Sequence, residues 1–337
     1  AITTIVDGVI VDLNGYTLTH TATGTEDCFI NVSGTVNCTI KNGNILKSTG
    51  TGRIIQSTVN SCNFTLQNVN FNNTVGNCLN IKGNITSDRV SKFISTSTGV
   101  GNSLGSNAGQ NIIGGNYYNL GTGSNTCSGN VSFSYFETVN NSNSTTQKTS
   151  FCDFVSVSGQ ALVGSGQYFH CNAYSATGAG ANIAGASCTA DFLFAESGTA
   201  QGLEATGAAI IRHCTGIAGT GGAGINPALI TLNCYAESAT GLGMTTSQAG
   251  TVIEQCIVKA NGTTHGIQNN GAVISVFDCT ITVGSSSAYG IVMGAANCYI
   301  RGNTIKGTVA GTKGIYITTG VNQWTDTADA QGNSANL

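Results

Sequence analysis

The chain has 337 residues, 40% of them apolar and only 8% charged, with a formal net charge of −3. Its 12 Lys and Arg stand singly and form no basic stripe, which excludes the phosphate neutralisation that nucleic-acid binding requires. No run of 18 apolar residues occurs, so no membrane insertion is expected, and 47 glycines disfavour helix.

No leader-type segment opens the sequence at Ala1, as expected of a mature or trimmed form. From Ile5 to Thr19 the alternation predicts two short strands joined at Asn14-Gly15. The next coil runs through Cys28-Phe29-Ile30 and Val36-Asn37-Cys38-Thr39-Ile40 to Ile45. Residues 1–95 therefore read as N-terminal coils. Residues 96–148 are rich in Gly, Ser and Asn and read as irregular middle coils, since the cysteine spacing widens to 49 between Cys78 and Cys127. Within them, Val139 to Thr146 predicts a surface loop, and Tyr117, Tyr118, Phe133, Tyr135 and Phe136 predict an aromatic patch.

Residues 149–320 are the most regular. From Cys127 the cysteines recur at spacings of 25, 19, 17, 26, 20, 22, 23 and 19, and Gly266-Ile267, Gly290-Ile291 and Gly314-Ile315 recur at 24. A period of 20 to 25 residues is the mark of a solenoid whose repeats bury their apolar faces against one another. The expected fold is all-β, a single-stranded right-handed parallel β-helix of about 13 coils, its handedness following from the crossover rule. Residues 321–337, with Trp324, Asp326 and Asp329, predict a C-terminal cap or tail.

The 13 cysteines include no C-x-x-C pair. One inward cysteine per coil would stack as a buried file of reduced thiols, about 4.8 Å apart, with side chains too parallel to bridge well. No metal and no cofactor is expected.

Stacking also makes neighbours of residues in one frame of successive coils. The position before cysteine reads His170, Ser187, His213, Asn233, Gln255, Asp278 and Asn297. If cysteine faces inward, these form an outward polar ladder suited to a saccharide chain, although any outer strand face must be polar. Glycoside hydrolysis would need two carboxylates about 5 to 9.5 Å apart. Glu137 with Asp153, Asp191 with Glu196, and Glu204, Glu237 and Glu254 over three coils are the available acids; Asp191 and Glu237, each three residues after a cysteine, could share a column. His213 beside Arg212 completes the best polar cluster. Were the chain an enzyme, Glu204, Glu237, Glu254 and His213 would carry its catalysis, in a groove on an outer sheet near coils 137–278.

Asp12-Leu13-Asn14-Gly15-Tyr16-Thr17-Leu18, followed by Asn37-Cys38-Thr39-Ile40-Lys41-Asn42-Gly43-Asn44-Ile45, resembles the opening coils of pectate-lyase-like right-handed parallel β-helices. Cys298-Tyr299-Ile300-Arg301-Gly302-Asn303-Thr304-Ile305 is similar to their later repeats. The superfamily holds polysaccharide-cleaving enzymes and the trimeric tailspikes of phages and other viruses. The Asn-Thr-Asp, Asp-Asp, Gly-His-Gly and Arg-Ile-Lys signatures of polygalacturonase-like hydrolases are missing, Thr263-Thr264-His265-Gly266 being the nearest approach to the third. No dense acidic cluster of the calcium-binding lyase kind occurs either. Sparse charge and unpaired cysteines are closer to the viral appendages. The resemblance therefore implies a homotrimeric, virion-surface or extracellular β-helix that contacts host-surface glycans. A polysaccharide lyase or glycoside hydrolase, and a secreted adhesin, are the alternatives.

Overall fold

The computed structural model describes residues 7–31, 37–60, 62–105, 110–205, 207, 210–310, 312–317, 323–324 and 334–336, of which 31, 323–324 and 334–336 are described by backbone only. Most of the expected cap, including Asp326 and Asp329, lies outside these residues, as do Ile5, Val6 and Val36. The chain divides into two compact units, 1–166 and 167–337. Each is a parallel β-helix, the class the period predicts, and all the described pairings within each unit are parallel.

A coil consists of three strands, and equivalent strands stack into three rows. In the second unit the first row runs from Gln167–Phe169 through Ile210–Arg212 to Tyr299–Arg301. The second runs from Asn172–Ser175 through Tyr235–Ser238 to Thr304–Gly307. The third runs from Ala181–Ile183 through Ile267–Asn269 to Lys313–Ile317. The first unit repeats this plan from Val9–Asp12, Thr17–His20 and Phe29–Asn31. Gly266-Ile267, Gly290-Ile291 and Gly314-Ile315 do open successive third-row strands, with Ile267, Ile291 and Ile315 in register.

Alternation fixes which side chains fill the interior. In Tyr135–Thr138, Phe136 and Thr138 are buried while Tyr135 and Glu137 face outward. Register then stacks like upon like. Phe71, Phe93, Tyr117, Phe136 and Phe154 form a core column with ring centroids 5.0 to 5.6 Å apart. The equivalent positions of the second unit hold Ala173, Ala195, Gly216 and Ala236 before giving way to Val258, Ile281 and Ile305.

Residues 96–148, expected to be irregular, carry strands that keep this plan, among them Val100–Leu104, Ser124–Cys127 and Tyr135–Thr138. The loop predicted over Val139 to Thr146 is in part the strand Asn143–Thr145, with Asn143 and Thr145 buried. Asn143 is polar for an internal reason. Asn102 donates to Asn125 at 2.9 Å and Asn125 to Asn143 at 3.1 Å, a file of amides inside the coil stack.

All thirteen cysteines are buried and none is joined in a disulfide. They occupy several places in the coil rather than one file. Cys152, Cys171, Cys214, Cys234, Cys256 and Cys279 follow the corner between the first and second rows, whereas Cys62, Cys188 and Cys298 precede a first-row strand. At the corner the thiol has a definite task. Cys214, Cys234, Cys256 and Cys279 donate to the carbonyl two residues back at 3.1 to 3.2 Å. Ser134 does the same to Ser132 at 3.0 Å.

Candidate functional site

The corner between the first and second rows is turned by one residue in the left-handed region. In the first unit that residue is Asn14, Asn42, Asn68, Phe133 or Phe151, and in the second His170, Phe192, His213, Asn233, Gln255 or Asp278, all with φ between 48° and 58°. Left-handed geometry suits Asn and Asp and costs other L-residues about 1–2 kcal/mol. Bulky rings held there are outliers, and they cluster.

Five of the sequence-predicted ligand residues, His170, His213, Asn233, Gln255 and Asp278, thus stand in this one outward column of the second unit. Asn297 does not. It precedes Cys298 at the turn that leads into Tyr299–Arg301, and Ser187 stands at the equivalent turn before Cys188. Sequence reasoning mixed two frames because both end in cysteine. It also missed Phe192 and Phe151, and placed Phe133 in the aromatic patch but not in this column. Phe192 and Phe133 are followed by Leu193 and Ser134 in the cysteine position, so a search keyed to cysteine passes over them.

The rings stack along the column. His170 lies 4.6 Å from Phe192 at 1° and Phe192 lies 4.8 Å from His213 at 15°. His213 Nδ1 is 2.8 Å from Asp191 Oδ1. A ring covered on both faces offers its positive edge outward, which favours oxygen acceptors over face-to-face stacking. Phe169 is different: it stands at 88° to His170, 4.2 Å away, and is 38% exposed.

In the first unit the same corner forms a groove. Asn42 donates to Asp12 and Asn68 to Asn42, and Asp88 accepts from the Asn68 backbone N–H at 2.6 Å. Burial opposes ionisation of Asp88, but the Ser91 hydroxyl and the N–H groups of Asn68 and Ser91 hold its carboxyl below the usual value. Beside this column run Asn44, Asn70, Lys92, Asn116, Tyr135 and Asp153, each opposite the next. The upper part is a cleft of about 590 Å³ lined by Asn14, Asn42, Asn44, Asn68, Asn70 and Lys92 among others. Asn70 and Lys92 have no side-chain partner among the described residues.

Lower down, the corner is Gly114-Gly115, both left-handed, so no side chain fills that step. A Cβ at Gly115 would sit 2.8 Å from Tyr117 Oη. The opening is a cleft of about 250 Å³ walled by Arg89, Phe133, Tyr135, Phe151 and Asp153. Phe133 and Phe151 stack at 5.1 Å and 4°, and Arg89 lies 5.5 Å over Phe133. Tyr135 Oη donates to Glu137 at 2.6 Å, and burial, followed by this bond, pushes the phenol up.

The candidate catalytic acids are not brought together. Glu204 lies in the third row, where it accepts from Asn182 at 3.1 Å. Glu237 lies in the second row, bonded by Tyr235 and by Asn261, the latter at 2.8 Å. Glu254 lies in the first row. Asp191 is also a first-row residue, so it shares no column with Glu237. Glu137 and Asp153 are the nearest to a pair, Asp153 being opposite Tyr135 on the adjacent strand. Among the described residues no group of three or more ligating side chains is placed to hold a metal ion. Nor is any helix there long and apolar enough to cross a membrane.

No protein-family model matches the chain, and no curated protein does. Three solved structures are similar. The A-module of mannuronan C-5 epimerase AlgE6 from Azotobacter vinelandii is 9% identical, with 90% of this chain and 91% of that one covered at a TM-score of 0.39. The AlgE4 A-module from the same organism is 10% identical over 96% and 89%, at 0.28. The receptor binding domain of the Siphovirus 9NA tailspike is 13% identical over 94% and 74%, at 0.29.

Proposed function

We propose that the chain is a recognition solenoid of a viral or phage appendage and contacts host-surface glycans along its left-handed corner. The observation that carries this reading is the corner groove of the first unit. There, unpartnered Asn70 and Lys92 stand beside an amide column, and one strand row continues to Tyr135 and Asp153 next to stacked Phe133 and Phe151. Amides and hydroxyls repeating at the coil spacing of about 4.8 Å match the donors and acceptors of an extended sugar chain. In the second unit, His170, His213, Asn233, Gln255 and Asp278 offer a further row of donors and acceptors, with Phe169 as a ring face. Self-association belongs to the same reading, as a pair formed through the second unit in place of the homotrimer that the resemblance implies. An extracellular or virion-surface location follows from it.

A glycan array with reducing-end analysis of the bound sugars tests the proposal. Binding without shortening is expected, weakened about tenfold by Asn70→Ala or Lys92→Ala, as for loss of one or two good hydrogen bonds. Release of reducing ends, abolished by Asp153→Asn, would replace this reading with hydrolysis at Glu137 and Asp153.

A further inference from the structure

The outward face of the first row in the second unit has its polarity reversed at its centre. In Ile230–Leu232 the two apolar residues point outward, while Thr231 is fully buried with its hydroxyl lacking a partner. Sheet faces toward water normally do the opposite. Ile210 and Val252, in register on either side of Ile230, also face outward. The arrangement around this centre is symmetric. Thr189 and Ser275 follow at two coils, and Gln167 and Tyr299 at three.

The second outward column is complementary about the same centre at one and three coils, and at two coils it sets Asp191 against Phe277. One coil from Leu232 lies Arg212 on one side and Glu254 on the other. Three coils away lie Phe169 and Arg301, the latter 5.3 Å over Phe277.

We propose that this face binds the same face of a second copy, the two solenoids antiparallel about a two-fold axis lying along Ile230–Leu232. That operation preserves position along the strand and reverses coil order, so each column meets itself inverted. Ile230 and Leu232 meet their own copies on the axis, and Ile210 meets Val252. Thr189 meets Ser275 at the polar rim. Arg212 faces Glu254 of the second copy twice over, and Arg301 faces Phe169 in a cation–π contact. An apolar centre with a polar, charge-paired rim is how protein interfaces are built. The left-handed corner column lies at the edge of this face and stays open. Seven coils span only about 30 Å, which puts the pair in the small, weaker class of interfaces.

Sedimentation of the full chain over roughly 1 to 200 µM, a range suited to a small interface, measures the association. A concentration-dependent dimer is expected. Arg212→Glu or Glu254→Arg alone should weaken it about tenfold or more, by placing like charges opposite each other. The double swap should restore it. Within one chain Arg212 and Glu254 stand two coils apart and form no ion pair, so the rescue reads the contact between copies. Ile230→Lys, with an unchanged melting temperature, should abolish the dimer. A monomer throughout, a trimer, or a dimer indifferent to the charge swaps would overturn the proposal.

Discussion

At the scale of single residues, the corner decides most of what is unusual in this chain. In most coils one left-handed residue lets the first and second rows meet at a fixed angle, and the sequence meets that demand unevenly. Asn233 and Asp278 adopt the conformation readily, whereas Gln255, at φ 53°, has no local compensation in its exposed side chain. Gln255→Asn should therefore stabilise the protein by about 0.5–1 kcal/mol in urea unfolding. Phe192→Asn, the same change in backbone preference, should give no such gain. It removes two imidazole stacks, each worth about 0.5–1.5 kcal/mol. If both substitutions stabilise equally, the ring ladder contributes nothing to folding. The strain at Phe192 would then have no explanation in the packing of the column.

At the scale of elements, stacked amides hold coils together on both sides of the sheet. Outside, Asp7 accepts from Asn37, Asn63 donates to Asn37 and Asn84 to Asn63, at 2.7 to 2.9 Å. The Asn37 N–H groups hold the Asp7 carboxyl below its ordinary value, so the row ends on an anion suited to its donors. Inside, Asn125 donates to the carbonyls of Tyr117 and Glu137 as well as to Asn143, and accepts from Asn102. Asn125→Ala leaves several buried acceptors unpaired. The expected cost is about 3 kcal/mol in equilibrium unfolding, well above that for Asn63→Ala, whose partners reach water. This contrast marks the limit of what the sequence disclosed. Period and alternation located the coils, including the in-register Ile267, Ile291 and Ile315, because inward apolar residues leave a direct trace. An inward Asn143 reads as loop, since nothing local shows that its partners are other amides one coil away. The polar column was found for the same reason that it was blurred. Cysteine marks two different turns, so Asn297 entered the ladder and Phe192 did not. The three glutamates looked adjacent in coil count, yet they stand on three rows, and row membership depends on turn lengths that vary from coil to coil.

For the whole molecule, the thirteen buried thiols raise the question of why a chain should carry so many without joining them. The corner geometry supplies an answer. The thiol of Cys214 or Cys256 caps a strand-end carbonyl and packs as a small apolar group, so the corner cysteines are useful reduced. Stability should then be independent of reducing agent, and the thiols should be protected by the fold itself. Burial pushes Cys28 and Cys38 up to about 11 and Cys127 up to about 12 from an ordinary 9.0. A raised folded value means that the native state holds these protons more tightly than the unfolded chain does. Their contribution to stability is full below pH 9 and is lost as pH rises through 9 to 12. At pH 8 the native protein should therefore react with a thiol-specific chromogenic disulfide only at the rate of its own unfolding, and denatured protein should release thirteen equivalents at once. Midpoints of urea unfolding should fall between pH 8 and pH 10.5, where Cys28, Cys38 and Cys127 begin to favour the open chain. Rapid native labelling of several equivalents at pH 8, or a midpoint that rises with pH, would show the thiols to be accessible and would remove them from the structural account.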